Sequence, residues 1–233
     1  MKRRAVSDSS ARIGRAIQIF NVFSGAARNV AAMQRSITAL VNQASELATS
    51  PADLVQTIFG AVTGIKDATS NAADAFHVYS VLPDQLEPTI DDRGDPFAAA
   101  SARNESETLR IARYAAAVGG ARAAVEVDWA SHEDAIEARQ GMLDEIDALQ
   151  LEAPDSVFRY LEDVRNLVTQ GLPPRDRNLP HIGTIVPEAT VTALQLVYRL
   201  YGSLTRYDDT VSRNHLQHPA YAPGGVPLEV LVG

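Results

Sequence analysis

The sequence predicts a mainly α fold: a helical bundle followed by a small α+β module at the C-terminal end. Three observations predict it. Apolar residues recur at three-to-four spacing through most of residues 13–168, as helices with one buried face require. From Ala193 the order is short helix, short helix, a Pro223-Gly224-Gly225 turn and an apolar closing run. Finally, Ile182–Val186 and Val226–Leu231 read as two short strands, expected to pair around the helices between them. The expected division is a helical domain over 1–172, broken near 82–96, and a LysM-like module over 173–233.

Ile13, Ala16, Ile17, Phe20 and Phe23 form the first helical stripe, and Val30, Met33, Ile37, Leu40 and Val41 continue it. Ser50-Pro51-Ala52-Asp53 reads as a helix start, with Ser50 as N-cap and Asp53 as the acidic member of a capping box. Leu54, Ile58, Val62 and Ile65 are that helix's buried stripe. Residues 71–81 form a short helix carrying His77. Residues 82–96, with three prolines and five acidic side chains, are read as a break. Ser106–Val127 is a long alanine-rich helix. Gly119-Gly120 inside it costs roughly 1 kcal/mol per glycine relative to alanine, which close packing or a kink would explain.

Ser131-His132-Glu133-Asp134 begins the next helix, with Ala135, Ala138, Met142, Ile146 and Leu149 on one face. Asp155 is read as the cap of another, carrying Val157, Tyr160, Leu161, Val164 and Val168 and ending at Gly171. Residues 172–181 read as a linker. Pro187 is expected to open the helix after the first strand. Helices then end at Tyr201-Gly202 and Arg213-Asn214.

A chain of 233 residues buries roughly 70–75% of its unfolded surface and needs no covalent staple. It has no cysteine, which excludes disulfides, thiolate metal sites and cysteine nucleophiles. No stretch suits a membrane span. Arg12, Arg15, Gln18 and Asn21 interrupt any signal-peptide core after Met1-Lys2-Arg3-Arg4. The charge is segregated. Residues 1–45 hold seven Lys/Arg and one Asp, whereas the remainder holds 14 basic and 28 acidic side chains. The acidic body repels a phosphate backbone, so nucleic acid is not an expected partner. Arg3, Arg4, Arg12 and Arg15 are a candidate basic contact segment, for an acidic surface of a partner or of the chain's own body.

No catalytic, cofactor-binding or metal-ligating set emerges, and no enzyme is expected. His215 and His218 fall in a turn without a third ligand. Asp91, Asp92 and Asp95 miss the alternating oxygen ligands of a calcium loop. Gly224-Gly225 lacks the Lys-Ser/Thr of a phosphate loop, and its role is a positive φ in a turn. Carboxylate pairs such as Glu126/Asp128 and Asp144/Asp147 suit solvated helix faces. Tyr198, Tyr201, Tyr207 and Tyr221 have two readings, a small module's core or a binding surface. The core reading carries more weight.

Leu200-Tyr201-Gly202, Arg206, Arg213-Asn214, His218-Pro219 and Pro223-Gly224-Gly225-Val226-Pro227-Leu228-Glu229-Val230-Leu231 together resemble the C-terminal signature of the Mu-like phage DNA circularisation (DNA circulation) proteins. These are tail and baseplate components of contractile phages and related prophages. The resemblance covers roughly 195–231 and is one of character alone over 30–170. That family's β-containing N-terminal domain has no counterpart in these residues, so the expectation is a shortened relative or one part of a divided protein. The tail also resembles a degenerate LysM module, which can bind peptidoglycan but in phage baseplates serves as a protein–protein adaptor.

The resemblance implies a virion protein, assembled in the host cytoplasm, that contacts tube, hub, spike or wedge proteins as a symmetric homo-oligomer. A ring would form if the basic segment of one subunit lies on the acidic body of the next. Tyr198, Tyr201, Gly202, Arg206, Asn214, His218, Pro219, Tyr221, Pro223, Gly224 and Leu228 are the candidate interaction and module residues. Alternatives are a peptidoglycan-binding module and a DNA-end-binding circularisation factor.

Overall fold

The computed structural model describes residues 11–13, 50–69, 71–86, 96–173, 178–218 and 220–233. Its elements are α1 (Pro51–Thr63), α2 (Ile65–Ala68), α3 (Ala72–Gln85), α4 (Pro96–Glu126), α5 (His132–Leu151), α6 (Asp155–Gly171), β1 (His181–Ile185), α7 (Ala193–Tyr201), α8 (Tyr207–Arg213) and β2 (Leu228–Val232). The fold is mainly helical, followed by a two-stranded antiparallel sheet. The chain divides into two compact units, residues 1–128 with 137–175 and residues 129–136 with 176–233.

In the first unit the expected stripe is buried: Leu54, Ile58, Val62 and Ile65 pack with Tyr79, Leu82, Leu109 and Ala112. The stripe spans two helices, because the chain turns at Gly64 between α1 and α2. Tyr79 closes that turn. Its hydroxyl lies 3.0 Å from the carbonyl oxygens of both Val62 and Thr63 and accepts the Lys66 N–H at 3.3 Å. Burial pushes the Tyr79 phenol well above its ordinary value. Gly119 and Gly120 of α4 make room for this side chain. A Cβ on Gly119 would lie 2.5 Å from Tyr79 Cε1, and one on Gly120 would lie 3.2 Å from Tyr79 Cβ. Close packing is thus the reason for the glycine pair, and α4 runs through it as one helix.

Several boundaries differ from expectation. The helix carrying His77 continues to Gln85 through Pro83, because burial of Leu82 and Leu86 anchors its last turn. At the other side of the break, α4 starts at Pro96 rather than Ser106, with proline placed where its missing N–H costs nothing. Ser50 occupies the N-cap of α1 without bonding the backbone; its hydroxyl lies 2.5 Å from Asp53 Oδ2. The N-cap of α6 is Pro154, and Asp155 is the first helical residue, favourable to the helix dipole. Tyr160 is 48% exposed, off the buried stripe of Leu161, Val164 and Val168. Of the first predicted helix only Ala11–Ile13 are described; they are helical, with Ile13 in the core. The second predicted stripe lies outside the described residues, as do residues 87–95 of the break.

Ion pairs tie the helices: Arg113 to Glu145 at 2.9 Å between α4 and α5, Arg165 to Asp147 at 2.8 Å between α5 and α6, and Lys66 to Glu126 between α2 and α4.

In the second unit, β1 and β2 pair antiparallel with Ile185 opposite Leu228, Gly183 opposite Val230 and His181 opposite Val232. The helix after β1 does not open at Pro187. It opens at Ala193, where Thr192 and Gln195 form a capping box, a stronger start signal than proline alone. Leu196 of α7 packs with Ala222 and Leu228, flanked by Ile185, Val191 and Leu216.

Candidate interaction site

The residues carrying the C-terminal pattern build the strand–helix–helix–strand unit from its ends. Gly202 closes α7 at φ +66°, a conformation that glycine adopts without a Cβ clash. This places Tyr201 at the last turn, where its hydroxyl accepts the Leu231 N–H at 2.9 Å. The Arg206 guanidinium carbon lies 5.4 Å from the Tyr201 ring centroid, a cation–π contact that holds the ring. Asn214 closes α8. Its amide donates to the Glu229 carbonyl at 2.8 Å, and its amide oxygen accepts the Glu229 N–H at 2.7 Å. Together the two helix-end side chains occupy the β2 edge that β1 does not use. They substitute for a third strand and leave that edge closed to other chains.

The turn before β2 is also determined by its glycines. Gly225 has φ +74°, and its N–H donates to the Pro187 carbonyl at 2.7 Å. Gly224 approaches the backbone so closely that a Cβ would lie 2.5 Å from the Ala189 carbonyl carbon. Pro223 is half-buried beside it, and Leu228 is a core residue. Pro219 lies outside the described residues.

A second constellation fastens residues 131–134 within the same unit. In the sequence, Ser131-His132-Glu133-Asp134 reads only as a helix start. Ser131 Oγ does accept the Asp134 N–H, at 3.1 Å. The Asp134 carboxylate then takes two bonds from Arg213, at 3.1 and 2.8 Å. Arg213 also reaches Asp209 at 3.2 Å. The Arg213 hydrogen bond holds Asp134 below its ordinary carboxylate value, against desolvation. Glu133 lies 2.8 Å from His181 Nδ1 and accepts the Ile182 N–H at 2.9 Å. The bond from His181 is the larger cause of Glu133's lowered pKa. The His132 and His181 rings stand 5.0 Å apart. No periodic signal in the sequence joins Asp134 to Arg213, because they are distant in the chain.

The core reading of the tyrosines fails for two of the four. Tyr198 is 61% and Tyr221 64% exposed, because the small core is filled by aliphatic side chains instead. Tyr201 and Tyr207 are half-buried. Tyr221 packs against His218 at 5.2 Å between ring centroids, and His218 Nδ1 accepts the Ala220 N–H at 3.3 Å. Tyr198 shares a face of α7 with Leu194, itself 50% exposed. Eight of the fourteen exposed large apolar side chains among the described residues lie between Val186 and Val232. That density places the candidate contact surface on this unit.

The first unit holds a groove of about 360 Å³ lined by Val55, Phe59, Ile111, Tyr114, Val157 and Tyr160, with Arg110 at its wall. The Tyr114 hydroxyl is buried without a hydrogen-bond partner among the described residues, and burial raises its pKa. Of the basic segment, Arg12 is described and pairs with Glu105 at 3.3 Å, on the chain's own body. Arg3, Arg4 and Arg15 lie outside the described residues. Among the described residues no three His, Asp or Glu side chains gather as a metal-ligand set, and no helix is long and apolar enough to cross a membrane. Comparison with known protein families gives no match, and comparison with curated proteins gives none.

Proposed function

We propose that this chain is a structural adaptor of a contractile phage tail or related particle, placed at the baseplate between tail tube and central hub. One observation carries the reading. The residues of the Mu-like pattern are not scattered: Tyr201 and Asn214 close the edge of β2 that β1 does not use, Gly202 and Arg206 position Tyr201, and Gly224, Gly225 and Leu228 form the approach and core of the same strand. A sequence pattern whose members perform one joint structural task supports a shared module. The order β1-α7-α8-β2 with antiparallel pairing supports the finer reading of a LysM-like module.

The surface chemistry fits an adaptor. Uncharged apolar and tyrosine side chains are exposed on the module, as protein interfaces favour. The body is acidic and repels polyanions. The adaptor therefore works by docking, with the helical unit and the module each offering a face to neighbours.

Co-expression with tube and hub proteins of the same particle tests this. The adaptor reading expects the chain to co-purify with one of them, and Tyr198→Ala with Tyr221→Ala to weaken capture. Retention on purified peptidoglycan with no capture by either protein would instead favour cell-wall binding.

A further inference from the structure

We propose that the outer edge of β1 is a docking strand for a second copy of this chain, paired antiparallel about a two-fold axis through Thr184. This inference stands apart from the adaptor reading.

The two edges of the ribbon differ. Glu229 and Leu231 direct their backbone groups away from β1, toward Asn214 and Tyr201. Their partners in the register are Thr184 and Ile182. In an antiparallel pair, residues opposite each other without mutual bonds both face outward, so Ile182 and Thr184 also face away from β2. The Ile182 N–H agrees, since it donates to Glu133. Pro187 faces inward, because its carbonyl accepts the Gly225 N–H, so Val186 faces outward. Five backbone groups are left with no partner among the described residues: the Ile182 carbonyl, and the N–H and carbonyl of both Thr184 and Val186. The β2 edge is closed by two side chains, and the β1 edge is closed only at its first rung.

All but the Val186 carbonyl find a partner in a second copy of the same set. With Thr184 opposite Thr184 of the second copy, the two exchange both backbone bonds. Each Val186 N–H then meets the other copy's Ile182 carbonyl. The return bond of each outer rung, from the Ile182 N–H to the other copy's Val186 carbonyl, is the one that Glu133 occupies, so four of the register's six bonds form. Shifting the axis to Gly183 would set Ile182 opposite Thr184, lose the same donor and leave only two bonds, because Pro180 has no N–H and its carbonyl already accepts the His132 N–H. The side chains agree: Thr would face Thr, and Val186, 59% exposed, would face Ile182, both favourable cross-strand pairs. The segment Ile182–Val186 contains no charge and no proline, so it lacks the usual devices that keep edges apart.

Sedimentation of the full chain over a concentration series tests the pairing. The expected result is a concentration-dependent dimer. Thr184→Lys and Thr184→Glu, each setting like charges across the axis, should each raise the dissociation constant about fivefold or more. Mixing the two variants should restore association, which a misfolded variant would not do. Thr184→Cys, in a chain without other cysteines, should form an intermolecular disulfide, since hydrogen-bonded pairs hold Cα atoms about 5.5 Å apart. A monomer at every concentration would overturn the proposal. So would a dimer indifferent to both charged variants.

Discussion

Gly119 and Gly141 both sit inside helices, and alanine at each has opposite consequences. A Cβ at Gly119 meets the Tyr79 ring, which cannot retreat because its hydroxyl is held by Val62, Thr63 and Lys66. Overpacking of that kind exceeds the helix-propensity gain, so Gly119→Ala should cost about 1–2 kcal/mol. Gly141 is exposed, and an added methyl there would find nothing within 4 Å. Gly141→Ala should therefore stabilise by roughly 0.5–1 kcal/mol. Urea unfolding of the two variants checks both signs together. The glycine pair is visible in the sequence, and its partner is not. Tyr79 is remote from it in the chain, and side-chain periodicity reports only local spacing.

At the scale of elements, stability depends on how strand edges and helix ends are closed. Tyr201→Phe removes the acceptor for the Leu231 N–H at a residue only 5% exposed. It should cost about 1–2 kcal/mol, because the stranded donor is poorly reached by water. Asn214→Ala removes its bond to the Thr210 carbonyl and two bonds to Glu229, but Glu229 is exposed and water can replace the latter two. Its expected signature is faster hydrogen exchange at the Glu229 amide, with the Val230 amide unchanged. The Asp134–Arg213 pair adds a pH dependence. Asp134 has a lowered folded pKa, so its contribution is fully present above the ordinary aspartate range near pH ~4. It is lost as pH falls through the lowered value. Asp134→Asn should flatten that acid slope, followed by the fluorescence of Trp129, the single tryptophan. Helices with regular stripes, such as Leu54–Ile65, are legible because burial repeats with the helical period. The passage of α3 through Pro83 is not, since tertiary burial of Leu82 and Leu86 outweighs a local breaker. The clamps at Asn214, Tyr201 and Asp134 are not legible either, because a side chain that closes a strand edge or a helix start leaves no period.

For the whole molecule, the sequence pattern picks out most of the C-terminal residues that matter without revealing their tasks. Tyr201 and Asn214 seal an edge and Leu228 fills the core, while Tyr198 and Tyr221 stand on the surface. The central claim is that this surface serves an adaptor in a contractile particle. Quantitative mass spectrometry of particles from the strain encoding the chain, normalised to the tube protein, tests it most directly. An adaptor should be present at a small, fixed copy number compatible with ring symmetry. Absence of the chain from mature particles would contradict the claim.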